Sequence, residues 1–229
     1  MKIDIRGLSE DQIIEFFEKK GFDSYRGRQV YEWIWRKSCY SFDEMTNISK
    51  DLRDVLDNHF VINHIQVDKI QKSFDGTIKN AVKLHDDHTV ESVLIPTDDR
   101  TTACVSSQVG CSLDCRFCAT SKLKRMRNLN PDEIYDQVVT INDQSLKYFN
   151  RPLSNIVYMG MGEPLMNYNN LIKSIEKISS DKGLNMSQKR IVVSTSGIPK
   201  MIKKLADENL KVNLALSLHS AIEETRNKI

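Results

Sequence analysis

The stretch Thr102-Ala-Cys104-Val-Ser-Ser-Gln-Val-Gly110-Cys111-Ser-Leu-Asp-Cys115-Arg-Phe-Cys118 passes from a β-forming run, Thr102–Ser106, into a loop with three cysteines spaced C-x3-C-x2-C. Three thiolates on one short loop can converge on a single inorganic centre, and soft sulfur ligands suit zinc or an iron–sulfur cluster. A structural zinc site calls for a nearby fourth Cys or His. Between Ala119 and Gln188 there is neither. A [4Fe–4S] cluster held by three cysteines leaves one iron open to another chelator, and the sequence favours that reading over zinc. The bland alternative is three buried cysteines packed as small hydrophobes, and Asp114 and Arg116 interleaved among them argue against it.

Working outward, the chain after residue 100 repeats strand, loop and helix. The spacing predicts strands over Thr102–Ser106, Asn155–Met159, Arg190–Ser194 and Val212–Ser217. Helices are predicted over Pro131–Tyr148, Tyr168–Ser179 and Pro199–Glu208, the first capped by Asn130 with Pro131 in its first turn. Such alternation implies parallel βαβ units in an open sheet or a (β/α) barrel, with function in the loops after the strands. Those loops carry Gly160-Met-Gly162-Glu163-Pro164, then Ser194, then Ser217-Leu218-His219. Glycines let a backbone approach a ligand, and Glu163 can accept hydrogen bonds from an ammonium. Pattern alone reads Ser194 and Ser217 equally as helix caps, and His219 as a structural histidine.

Before residue 100 the periods differ. Ser9-x-x-Gln12 forms a capping box ahead of Ile13, Phe16 and Phe17, and the helix stops at Gly21. Further helices are predicted from about Arg28 to Lys37, at Ser41-x-x-Glu44, and over Asp51–His59. Lys79–Leu84 and Thr89–Ile95 read as a hairpin around His85-Asp-Asp-His88. The expected organisation is an N-terminal helical domain (1–60), a β-hairpin connector (61–96) and an α/β catalytic module (97–229).

Composition bounds the function classes. The chain has 229 residues, 40% hydrophobic and 28% charged, which excludes disorder. No apolar run approaches a bilayer span, and the N-terminus lacks a signal-peptide core. Five cysteines, three of them within eight residues, make a poor disulfide framework. A cytoplasmic protein with no membrane partner is expected. The net charge of +2 divides unevenly: residues 1–100 carry 15 basic and 19 acidic side chains, residues 101–229 carry 18 and 12. Arg116, Lys122, Lys124, Arg125 and Arg127 lie within twelve residues without an acid among them, a candidate contact for a phosphate backbone.

The cysteine string, with an aromatic before its last cysteine, resembles the radical S-adenosylmethionine (SAM) superfamily. The longer run Cys104–Thr120, with Met159-Gly-Met-Gly-Glu-Pro164, Ser194-Thr-Ser-Gly197 and Leu216-Ser-Leu-His219, resembles the RlmN/Cfr family of RNA adenosine methyltransferases. The likeness spans about residues 27–229. It implies a partial (β/α) radical-SAM barrel, in which Cys111, Cys115 and Cys118 ligate a [4Fe–4S] cluster. It implies SAM contacts from Gly162, Glu163, Ser194, Ser217, Leu218 and His219. It also implies a proton-accepting role for Glu91 and a role for Cys104 in resolving a protein–RNA intermediate. By pattern alone, Glu91 is the polar face of a strand, Cys104 a buried strand cysteine, and Cys39 structural. The expected activity is methylation of C2 of adenosine in 23S rRNA and tRNA, with a flavodoxin or ferredoxin as electron donor. Alternatives are an inactive RNA-binding remnant or a radical SAM enzyme of different chemistry. The family places its methyl-accepting cysteine near the C-terminus, and here no cysteine follows Cys118. An incomplete fragment is therefore expected. Ser121 stands where the family usually has glycine.

Overall fold

A computed structural model describes residues 2–226 and 228. The chain divides into two compact units, Met1–His64 with Lys177–Asn185, and Ile65–Glu176 with Met186–Ile229.

In the first unit a short strand, β1 (Ile3–Asp4), pairs in parallel with β2 (Phe60–Val61). Three helices lie between them: α1 (Glu10–Lys19), α2 (Ser24–Trp35) and α3 (Lys50–His59). The predicted capping box opens α1: the Gln12 N–H donates to Ser9 Oγ at 3.2 Å, and the Ser9 N–H to Gln12 Oε1 at 2.8 Å. Helix α2 starts four residues earlier than its apolar spacing suggested. Its added first turn carries Gly27, where a Cβ would lie 2.7 Å from Ile14 Cα, so α1 and α2 touch backbone to backbone. The Ser41–Glu44 segment, expected as a helix, is a 3-10 turn over Phe42–Glu44. Ile5, Ile13, Phe17, Val30, Ile34, Trp35, Leu52 and Leu56 form the core. Burying each such side chain contributes about 1.5–3 kcal/mol.

The second unit is built on one seven-stranded sheet. Its strands in chain order are β3 (Gln66–Lys72), β4 (Ile78–Lys83), β5 (Thr89–Pro96), β6 (Thr101–Cys104), β9 (Asn155–Tyr158), β10 (Ile191–Thr195) and β11 (Asn213–Leu216). A separate two-strand ribbon, β7 (Gln108–Val109) with β8 (Arg127–Asn128), sits between β6 and β9 in sequence. Spatial order in the large sheet is β11-β10-β9-β6-β5-β4-β3. The pairs among β6, β9, β10 and β11 are parallel; those among β3, β4, β5 and β6 are antiparallel. The hairpin strands therefore extend the same sheet that carries the parallel strands. Strand β3 was not foreseen, because all seven of its residues are exposed and its polar composition lacks a strand signature. It is the sheet edge, carries Asp68, Lys69 and Lys72, and has a register shift between Val67 and Lys69; charge and a bulge are how edges resist further pairing.

Helices α4 (Pro131–Phe149), α5 (Tyr168–Ser179), α6 (Pro199–Asp207) and the short α7 (Glu223–Arg226) complete the set. The α4 capping box joins Asn130 to Glu133, and Asn150 closes the helix in the left-handed region at φ 51°. Along β4 and β5, Ile78, Val82, Val90 and Leu94 are buried, while the alternate residues Lys79, Lys83, Glu91 and Ile95 are not. The buried face includes a paired amide: Asn80 Nδ2 donates to Gln144 Oε1 of α4 at 3.0 Å, and Gln144 Nε2 returns a bond to Asn80 Oδ1 at 2.7 Å. On the alternate face Lys83, Glu91 and Ile95 are exposed.

Candidate functional site

The ribbon β7–β8 brackets the cysteine loop. Gly110 turns into it at φ +73°, where a Cβ would lie 2.4 Å from the Lys124 carbonyl oxygen. Only glycine permits that approach. Within the loop, the Cys118 N–H donates to the Cys115 carbonyl at 3.0 Å. Ser121 Oγ lies 2.7 Å from both the Cys115 and the Cys118 carbonyl oxygens and donates to them in a shared bond. The serine thus braces the cysteine turn. Cys111, Cys115 and Cys118 are all partly exposed. Burial first, then the neighbouring Cys111 and Cys118, raises the Cys115 thiol above its usual range.

The turn after β9 meets this loop from the other side. A Cβ on Gly160 would fall 2.7 Å from Ser106 Oγ and from the Val105 carbonyl oxygen. Gly162 sits at φ +94°, with Gln108 Cβ only 2.5 Å from where its own Cβ would be. Gln108 is fully buried and spans two elements: its Oε1 accepts the Glu163 N–H at 2.9 Å, and its Nε2 donates to Asn128 Oδ1 at 2.8 Å. The Glu163 carboxylate is 4% exposed and accepts the Ser196 N–H at 2.8 Å and the Leu165 N–H at 3.2 Å. These two bonds lock the side chain on the cavity wall.

Beyond β10 and β11, Ser194 Oγ and Ser217 Oγ are 3.3 Å apart. Arg226 ties the two strand-end loops together, donating from Nη2 to the Ser196 carbonyl at 2.5 Å and from Nη1 to the Leu218 carbonyl. His219 adopts φ 57° and lays its ring against Phe117 of the cysteine loop, centroids 4.2 Å apart.

These pieces enclose one cavity of about 600 Å³. Its walls include Cys111, Cys115, Cys118, Gly162, Glu163, Ser194, Ser217, Leu218 and His219, all nine residues anticipated for metal and cofactor. Phe117, Met159, Ser196 and Arg226 line it too; the first three stand in the quoted motifs without an assigned role, and Arg226 stands in none. Arg226 carries no motif signal. Gln108, a polar residue beside Val109 and ahead of Gly110, carries only a weak signal.

Glu91 and Cys104 do not line the cavity, yet strand register puts them on its sheet face. Cys104 pairs with Val93, two residues from Glu91, and with Val157; Val157 pairs with Val192, two residues from Ser194. Side chains alternate faces along a strand, so Glu91, Cys104 and Ser194 share the face opposite the one packed with Ile78, Val82, Val90 and Leu94. Glu91 is exposed there, paired with Lys79 Nζ at 3.0 Å. Cys104 is buried, and that burial pushes its thiol up to about 11.

The basic run separates into two kinds of residue. Arg116, Lys122, Lys124 and Arg125 are exposed. Arg127 is not free for phosphate: its Nη1 and Nη2 grip the Glu133 carboxylate at 2.7 Å each, and its Nε holds Asp86 at 2.5 Å. Sequence proximity grouped it with its neighbours, while the alternation of β8 turned it toward α4.

The donor set suits an iron–sulfur cluster: three soft thiolates on one loop, beside a cavity large enough for an organic ligand. Among the described residues, no three His, Cys, Asp or Glu side chains are gathered tightly enough to hold a single metal ion. Cys111, Cys115 and Cys118 would supply the thiolates of a cluster.

Comparison with known proteins agrees with this geometry. Residues 3–62 match the family model "Ribosomal RNA large subunit methyltransferase N-terminal domain", and residues 105–229 match "Radical SAM superfamily". A curated relative from Christiangramia forsetii, "Probable dual-specificity RNA methyltransferase RlmN", is 69% identical over 228 residues, covering 100% of this chain and 65% of its own length. "Dual-specificity RNA methyltransferase RlmN" from Desulfotalea psychrophila is 41% identical, covering 100% of this chain and 64% of its own length. The solved structure of a radical SAM methyltransferase from Sphaerobacter thermophilus superposes with a TM-score of 0.89 at 36% identity, covering 99% of this chain and 66% of that one. The chain thus spans about two-thirds of the length of the relatives it matches. With a superfamily match over more than half its residues, and the cysteine loop and cavity inside that match, the chain belongs to the radical SAM superfamily, with an RlmN-type N-terminal domain ahead of the radical SAM module.

Proposed function

We propose that this chain is the cofactor-binding part of an RNA methyltransferase that methylates C2 of adenosine in 23S rRNA and tRNA. The observation that carries the reading is the cavity itself: three cysteines, a locked carboxylate and two strand-end hydroxyls closing on one space. Cys111, Cys115 and Cys118 would hold the [4Fe–4S] cluster. When bound, that cluster supplies the single electron for reductive cleavage of SAM. The chain's own residues bind and orient the ligand. Gly162 gives close backbone approach, and Glu163, held by two main-chain donors, offers its remaining acceptor capacity to the SAM ammonium. Ser194, Ser217 and the Leu218–His219 turn hold the far end of the ligand, and the Phe117–His219 ring pair joins that turn to the cysteine loop.

Glu91 and Cys104 are assigned to the substrate on the sheet face they share. Glu91 would accept a proton from the adenine ring, and Cys104 would resolve the protein–RNA intermediate. A thiol raised by burial is a poor nucleophile in its resting state, so Cys104 needs a base or a rearrangement to act. Arg116, Lys122, Lys124 and Arg125 are positioned to meet phosphates. An acidic one-electron donor such as a flavodoxin or ferredoxin is the expected reductant, and the cytoplasm the expected compartment. The test is to incubate the full-length protein carrying these residues with unmodified 23S rRNA and tRNA, SAM and a reducing system, then digest the RNA. C2-methyladenosine is the expected product, absent in Cys118→Ala. A different modified nucleoside, or none, overturns the assignment.

A further inference from the structure

The β5–β6 ladder ends at Val93 with Cys104, two residues short of Glu91. Beyond that point β6 gives way to Val105–Ser107, and side chains from the loops near the cavity take over the Glu91 main chain. The Glu91 N–H donates to the Met161 thioether sulfur at 3.3 Å, and its carbonyl accepts the Ser106 hydroxyl at 2.5 Å. The same Ser106 Oγ accepts the Met161 N–H at 2.8 Å. The three residues thus close a ring: Glu91 to Met161, Met161 to Ser106, Ser106 back to Glu91.

This ring is rigid on every side. Ser106 is fully buried and Met161 is 7% exposed. The Ser106 N–H donates to Gln137 Oε1 of α4 at 2.9 Å, and Gln137 Nε2 donates to the Ser106 carbonyl at 3.3 Å. Gly160, next to Met161 and itself in the cavity wall, leaves no room for a Cβ beside Ser106 Oγ. The hydroxyl uses its one proton on Glu91 and a lone pair on Met161. A neutral thioether is a weak acceptor, so satisfying a part-buried amide does not by itself call for methionine at 161.

We propose that Ser106 and Met161 are positioning residues that tie the Glu91 main chain to the Gly160–Met161 turn, so that the Glu91 carboxylate keeps a fixed place relative to the bound cofactor. The proposal rests on the reading of Glu91 as the proton acceptor. A shift of the turn on SAM binding would move Glu91 with it.

Ser106→Ala removes both hydroxyl bonds, and Met161→Leu keeps the side-chain bulk while removing the sulfur acceptor. In the full-length protein, amide hydrogen exchange at Glu91 should rise about ten-fold or more in each variant, with Val93 and Leu94 exchange unchanged. SAM affinity should stay within about two-fold while turnover falls about ten-fold, since a displaced group costs rate more than binding. Unchanged exchange at Glu91 in both variants overturns the proposal, as does an equal rise along the whole of β5. If Ser106→Ala does not fold, Met161→Leu decides alone. A Glu91→Gln control separates the two layers: full turnover there removes the proton-acceptor reading, and the exchange measurement still decides the ring.

Discussion

Arg127 shows how much of this site is set by single side chains whose roles sequence proximity disguises. Its guanidinium holds Asp86 well below the usual carboxylate range, and its hydrogen bonds, to Glu133 first and then to Asp86, raise Arg127 further. A carboxyl depressed in the fold stabilises above its unfolded value, about 3.9, and that contribution fades as pH falls below it. Asp86→Asn should therefore cost about 1–2 kcal/mol near neutral pH, and the difference from the parent chain should begin to shrink as pH falls below about 4 and go on shrinking to the lowest pH at which the fold survives. Denaturant melts across pH check this; a gap independent of pH contradicts the assigned pair. Glu163 is the opposite kind of residue. It was legible from Gly-Glu-Pro at a strand end, but its clamps, Ser196 and Gln108, come from segments 33 and 55 residues away. No local pattern announces partners at that range.

At the scale of elements, capping chemistry and period carried most of the reading. The Ser9 and Asn130 boxes start their helices where the sequence places them, and the four parallel strands fall within a residue or two of expectation. What stayed hidden had physical reasons. Strand β3 buries nothing, so it has no hydrophobic period to read. The early turn of α2 packs Gly27 against Ile14, a contact between helices that no local pattern shows. The shared face of Glu91, Cys104 and Ser194 is a property of register across four strands. Turn geometry, by contrast, yields a direct prediction. Gly162→Ala forces a side chain into φ +94° and against Gln108, costing about 1–2 kcal/mol, and it should displace the turn that carries Glu163. SAM binding by the reconstituted protein, followed by titration calorimetry, should weaken about ten-fold or more. Undiminished affinity would show that this turn does not contact the ligand.

For the whole molecule, the near-neutral total charge conceals a basic second part. Four exposed cations adjoin the cysteine loop, and no helix among the described residues is long and apolar enough to cross a membrane. Replacing Lys122, Lys124 and Arg125 together with alanine should weaken RNA binding for any sequence and reduce the salt slope by about three. Arg127→Ala should instead lower stability, because its charges are already matched within the fold. An unchanged slope in the triple variant would move the RNA contact elsewhere. The sheet, its loops and the cavity converge on one claim: three cysteines and the facing strand ends form a single SAM-binding cluster site. Anaerobic reconstitution with iron and sulfide tests it most directly. The account predicts about four irons and four sulfides per chain, a spectrum that changes on adding SAM, and loss of both in Cys118→Ala. A colourless zinc-bearing protein, or a cluster whose spectrum ignores SAM, would contradict it.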